Sequence, residues 1–75
     1  AMGYKVLGEL IDFFMEWVNH PSSGQSKKVA IMLQGTGLPK DDEGKDARLA
    51  HMLDYISGMT DSFALETYRK LTGIL

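Results

Sequence analysis

The sequence predicts an all-α fold, a small bundle of three to four helices. Three observations carry that expectation. Apolar residues recur at spacings of three and four in several separate segments, as a helix buried along one face requires. The one continuous apolar run that could be a strand, Val29-Ala30-Ile31-Met32-Leu33, has no second strand-like segment to pair with. Glycine, proline and hydroxyl residues punctuate the chain where helices would have to start and stop.

The first helix is the clearest. Val6, Leu7, Leu10, Ile11, Phe14, Trp17 and Val18 form one stripe, and Phe13 widens it. Glu9, Asp12, Glu16 and Asn19 fall on the other side. The spacing predicts a helix from about Tyr4 to Asn19, ended by His20-Pro21 because a residue before proline resists the helical region. Pro21-Ser22-Ser23-Gly24 reads as a turn. A shorter helix is expected from Ser26, as its cap, to Leu33 or Gln34, with Val29, Met32 and Leu33 inward.

Gly35 to Gly44 is a solvated loop by composition. Leu49, Met52, Leu53 and Ile56 then define a third helix, about Lys45 to Ser57, which Gly58 is placed to stop in the left-handed conformation. Thr60 or Asp61 is expected to cap a fourth, whose buried face is Phe63, Ala64, Tyr68 and Leu71 and whose end is Gly73.

These helices make a single domain over residues 1–75, with Ala1 and Met2 resembling a tag remnant. A chain this short buries only about 60% of the surface its unfolded form exposes. It has no cysteine, hence neither a disulfide nor a thiolate metal site to staple it. Such a domain is expected either to self-associate or to be a piece of a larger protein. Its hydrophobic and charged fractions, 44% and 24%, argue against disorder. Eight basic against ten acidic residues leave a net charge of −2, a poor footprint for nucleic acid. No apolar run is long enough for a bilayer and no signal-peptide pattern is visible, so a cytoplasmic setting without membrane partners is expected.

Chemistry-bearing motifs are sparse. Gly37 to Lys45 superficially suggests a phosphate loop, but six residues instead of four separate Gly37 from Gly44, and Asp46 stands where a magnesium-binding hydroxyl belongs. Asp41, Asp42, Glu43 and Asp46 do not follow the calcium-loop spacing, since counting from Asp41 puts glycine fourth and Met52 twelfth. His20 and His51 are the only histidines. His51 precedes Asp54 and Tyr55 by three and four, which puts all three on one helical face. No catalytic residue and no metal ligand is assigned. The wide apolar face of the first helix leaves Phe13, Phe14 and Trp17 open to two uses, core burial or a partner surface.

The most distinctive string is Leu53-Asp54-Tyr55-Ile56-Ser57-Gly58-Met59-Thr60-Asp61-Ser62-Phe63-Ala64. It resembles the closing segment of bacterial dGTPase-like deoxynucleoside triphosphate triphosphohydrolases of the HD-domain superfamily. These typically carry Asp-Tyr-Ile-x-Gly-Met-Thr-Asp-Arg-x-Ala near the chain's end. Asp54, Tyr55, Ile56, Gly58, Met59, Thr60, Asp61 and Ala64 match, whereas Ser62 stands in place of the usual arginine. Gly3 to Pro21 resembles, more loosely, the family's helix before a His-Pro turn.

The resemblance implies the C-terminal phosphohydrolase-associated region of a larger enzyme that releases inorganic triphosphate from a deoxynucleoside triphosphate. The divalent metal and its His-Asp ligands would then belong to the parent's catalytic domain, with no cofactor in this chain. The implied role is structural, oligomer-forming or as a wall of the nucleotide pocket, through Asp54, Tyr55, Met59, Thr60 and Asp61. Implied partners are the catalytic HD domain of the parent or of a partner chain, a second copy of this chain, and deoxynucleotide as a candidate ligand. The rival reading is a free-standing helical interaction or regulatory module. An autonomous metal enzyme using His20, His51 and the acidic loop is a third class.

Overall fold

In the computed structural model, which describes residues 4–40 and 43–73, four helices follow one another: α1 (Tyr4–Asn19), α2 (Gly24–Met32), α3 (Gly44–Ser57) and α4 (Asp61–Thr72). No strand occurs among the described residues, and the apolar run at 29–33 is helical or just beyond α2. The expected all-α bundle is thus the observed fold. Ala1, Met2 and Gly3, and the acidic pair Asp41 and Asp42, lie outside the described residues.

The longest helix is the hub. α1 packs against α2, α3 and α4 in turn, while the other three make few contacts among themselves. Leu10, Phe14, Trp17 and Val18 supply the α1 side of the core, a stripe at spacings of four, three and one. Val29 and Leu33 meet it from α2 and its end, Met52 from α3, and Ala64 and Leu71 from α4. Because α2, α3 and α4 each lean on α1, open clefts remain between them.

Local polar chemistry closes the corners. Ser23, with extended backbone at ψ 159°, caps α2 by accepting from the Ser26 amide at 3.1 Å. The Ser26 hydroxyl is fully buried, accepts from Ser23 Oγ at 2.9 Å and donates to the His20 carbonyl at 2.6 Å. The cap is therefore Ser23 rather than Ser26. A turn from Pro21 leaves Ser23 extended three residues ahead of Ser26, the spacing a capping oxygen needs to reach an orphan amide. Arg48 ties α3 to the end of α1, its Nε and Nη2 donating to the Val18 carbonyl at 3.0 and 2.9 Å. Tyr68 on α4 donates to a Glu9 carboxylate oxygen on α1 at 3.2 Å. Burial, then the hydrogen bond to Glu9 and its charge, hold the Tyr68 phenol above its usual range.

Two buried faces differ from the expected ones. On α4 the inward residues are Ala64, Thr67 and Leu71, whereas Phe63 is 42% exposed. Thr67 tolerates burial because its hydroxyl donates back to the Phe63 carbonyl at 2.8 Å. On α3 Met52 faces α1, and Leu53, about 100° further around the helix, is left exposed.

Gly58 also departs from expectation, ending α3 at φ −89° and ψ 0° rather than left-handed. The chain bends there through a helical-type turn, with the Met59 amide donating to the Ile56 carbonyl at 3.0 Å. Gly73 does end α4 left-handed, at φ 75°, a conformation glycine adopts without steric cost. No described helix is long and apolar enough to cross a membrane.

Candidate functional site

The last turns of α3, the Gly58–Met59 bend and the first turn of α4 frame an open groove of about 340 Å³. Its lining is Thr36, His51, Asp54, Tyr55, Gly58, Met59 and Phe63. Helical spacing aligns His51, Asp54 and Tyr55, and the bend folds Met59 and Phe63 back toward them. Thr36 arrives from the loop after α2.

Hydrogen-bond bookkeeping fixes one proton. The Thr36 hydroxyl donates to the Leu33 carbonyl at 2.6 Å and has a single hydrogen to give. Its oxygen must then accept from His51 Nε2, 2.9 Å away. A neutral His51 therefore carries its hydrogen on Nε2 and leaves Nδ1 as an acceptor. The imidazole also meets Trp17 edge-on, with ring centroids 6.3 Å apart.

Tyr55 bridges core and surface. Its ring lies 5.9 Å from buried Phe14 on one side and 6.1 Å, edge to face, from Phe63 on the other. Burial pushes its phenol above the usual range.

Of the five residues singled out by the sequence motif, Asp54, Tyr55 and Met59 line this groove. Thr60 and Asp61 do not. Thr60 caps α4, accepting from the Phe63 amide at 3.2 Å, and Asp61 opens the helix, where its charge suits the positive end of the dipole. Thr60 instead lines a neighbouring cleft with Ser62, Phe63, Leu65, Glu66 and Arg69. Ser62 and Arg69 share that cleft, two turns apart on α4. Replacing Thr60 by alanine should cost about 1 kcal/mol of stability through the lost cap. Urea unfolding of the variant measures it.

Among the three apolar residues read as partner-surface or core, Phe14 is 0% and Trp17 4% exposed. Both lie within the chain's own core, and Phe13 sits partly buried at its edge. His51, Thr36, Gly58 and Phe63 complete the groove without having been assigned to it from the sequence. For His51 the signal was present, in its spacing to Asp54 and Tyr55. Among the described residues no group of three or more metal-ligating side chains comes together. His20 stands exposed just beyond the end of α1.

The model of the phosphohydrolase-associated domain matches residues 2–70. The chain belongs to that family. It is the family expected from the motif at Asp54–Ala64. A deoxyguanosinetriphosphate triphosphohydrolase-like protein of Synechocystis sp. is 33% identical over 73 residues. These residues are 96% of this chain and 17% of that relative, so the chain spans about a sixth of the relative's length. No solved structure matches the chain.

Proposed function

We propose that this phosphohydrolase-associated domain serves a larger deoxynucleoside triphosphate triphosphohydrolase. It packs against the catalytic HD domain, of the same chain or of a partner, and closes one wall of the nucleotide pocket. The observation that carries this reading is the groove at the α3–α4 bend. Asp54 is exposed there, and Tyr55 and Met59, half-buried against the core, turn their remaining surface to the same groove. Thr60 and Asp61 position that wall by starting α4 at the bend.

Hydrolysis belongs to the catalytic domain, which holds the divalent metal that activates water. Self-association through α1 fits the same assembly. It would use Phe13 and the 36% exposed Ile11 rather than Phe14 and Trp17, whose rings are already covered. A cytoplasmic setting, where deoxynucleotides are available, goes with this role.

The test is an assay of the purified chain with deoxynucleoside triphosphates, with and without magnesium or manganese. No inorganic triphosphate should be released. Turnover that is then lost on replacing His51 or Asp54 would assign hydrolysis to the chain itself and overturn the proposal.

A further inference from the structure

A second cleft, of about 450 Å³, opens between α2 and the last turn of α4, at the far end of α4 from the bend. Lys28, Ile31 and Met32 line it from α2, at spacings of three and four that one side of a helix presents together. Lys70 and Gly73 line it from α4 and its cap. It stays open because α2 and α4 both lean on α1 and make few contacts with each other.

This cleft combines apolar surface with positive charge. Ile31 is 65% exposed, the most exposed of the large apolar side chains among the described residues. Val29 and Leu33 serve the core from this part of the chain, and Ile31 takes no part in it. Lys28 and Lys70 share the cleft with Ile31, and no carboxylate does. Lys70 suits the negative end of the α4 dipole, yet the backbone there is already served. The Thr72 hydroxyl donates to the Tyr68 and Arg69 carbonyls, and the Gly73 amide to those of Arg69 and Lys70. Lys28, midway along α2, has no such local use.

We propose that the α2–α4 cleft docks an acidic amphipathic helix from outside this domain, with apolar side chains on Ile31 and Met32 and carboxylates against Lys28 and Lys70. Charge and polarity together select that occupant. A phosphate group would use the lysines and leave Ile31 in water. A wholly apolar segment would cover Ile31 and strip water from two ammonium groups without pairing them. The net charge of −2 works against broad anionic surfaces such as a bilayer, whereas a single helix feels chiefly the charges within a screening length of about 10 Å. A helix laid in a groove meets both demands at once. The α1 helix of a second copy also carries acids, but its apolar stripe is spent on its own core. The proposal is independent of the α3–α4 groove, which lies at the other end of α4.

The experiment is an amide-shift titration of the isotope-labelled chain with synthetic helices of about four turns. One carries leucines at i, i+3, i+4 and i+7 with glutamates beside them; a second has lysines for the glutamates, and a third alanines for the leucines. The first should move the amides of Lys28, Ile31, Met32, Lys70 and Gly73 with a Kd of roughly 0.1–1 mM, and the other two should bind at least about tenfold more weakly. Lys28→Glu should weaken the glutamate helix about tenfold and strengthen the lysine helix, a reversal that a purely structural lysine would not produce. Ile31→Ser should weaken the glutamate helix about fivefold or more. Both side chains are exposed, so the spectrum of the free chain should keep its pattern away from the cleft. Equal binding of the glutamate and lysine helices, or unchanged binding by Lys28→Glu, would overturn the proposal. So would shifts of the same amides with inorganic phosphate, with phosphatidylserine vesicles, or with rising protein concentration alone. Because dGTP at the bend is read on other amides, failure here leaves the nucleotide-wall reading standing.

Discussion

Replacing Phe14 by alanine should remove about 3–5 kcal/mol of stability, enough to unfold most of the chain at room temperature. Phe14 is fully buried, contributes to the stripe of α1 that every other helix leans on, and supports the ring of Tyr55 at 5.9 Å. A domain of this size without disulfide or metal rarely has more than about 3–5 kcal/mol to lose. The hub arrangement leaves no alternative core, because α2, α3 and α4 make few contacts with one another. Far-ultraviolet circular dichroism during a thermal melt reads the result. A variant that melts cooperatively near the parent temperature would mean that α1 is not the organising helix.

Arg48→Met should cost about 1.5–3 kcal/mol, the range for hydrogen bonds that involve a charged group. Val18 lies in the last turn of α1, where carbonyls have no partner within the helix, and both guanidinium nitrogens are aimed at it. The positive charge also sits at the negative end of the α1 dipole. Lysine should restore only part of the loss, since an ammonium cannot reproduce two donors in a fixed plane. Urea unfolding of Arg48→Met and Arg48→Lys against the parent measures both steps. A methionine variant within about 0.5 kcal/mol of the parent would show that this tie contributes little.

Both predictions concern contacts that the sequence conceals to different degrees. The Phe14 stripe was legible because burial on α1 follows helical periodicity, and the bounds of that helix follow from His20-Pro21. The Arg48–Val18 tie joins positions 30 residues apart, and nothing in the local spelling announces it. Errors of face arose where two neighbouring apolar residues competed for one inward position. At Met52-Leu53 and Phe63-Ala64 the sequence offers two candidates, and the choice depends on how α3 and α4 lie against α1. Ser26 was misread as a cap for a related reason. Ser23 and Ser26 are three apart, so either could have capped a helix, and the turn after Pro21 decides between them.

The candidate site shows the same division. Asp54, Tyr55 and Met59 were reachable from the motif, and His51 from its spacing on α3. Thr36 was not, because it enters the groove from a loop 15 residues before His51. The capping role of Thr60 was legible from local chemistry alone, a hydroxyl three residues ahead of an orphan amide. Phe63 was read as core because an aromatic on an amphipathic helix usually is. Its exposure instead leaves an aromatic ring open at the rim of the α3–α4 groove.

The most direct test of the nucleotide-wall role is a titration of the labelled chain with dGTP, following backbone amide shifts residue by residue. The expected result is a set of shifts concentrated on His51, Asp54, Tyr55, Met59 and Phe63, saturating at roughly millimolar ligand because one wall supplies only part of the contacts. An undisturbed spectrum, or shifts confined to residues away from the α3–α4 bend, would contradict it and leave the domain a purely structural part of its parent.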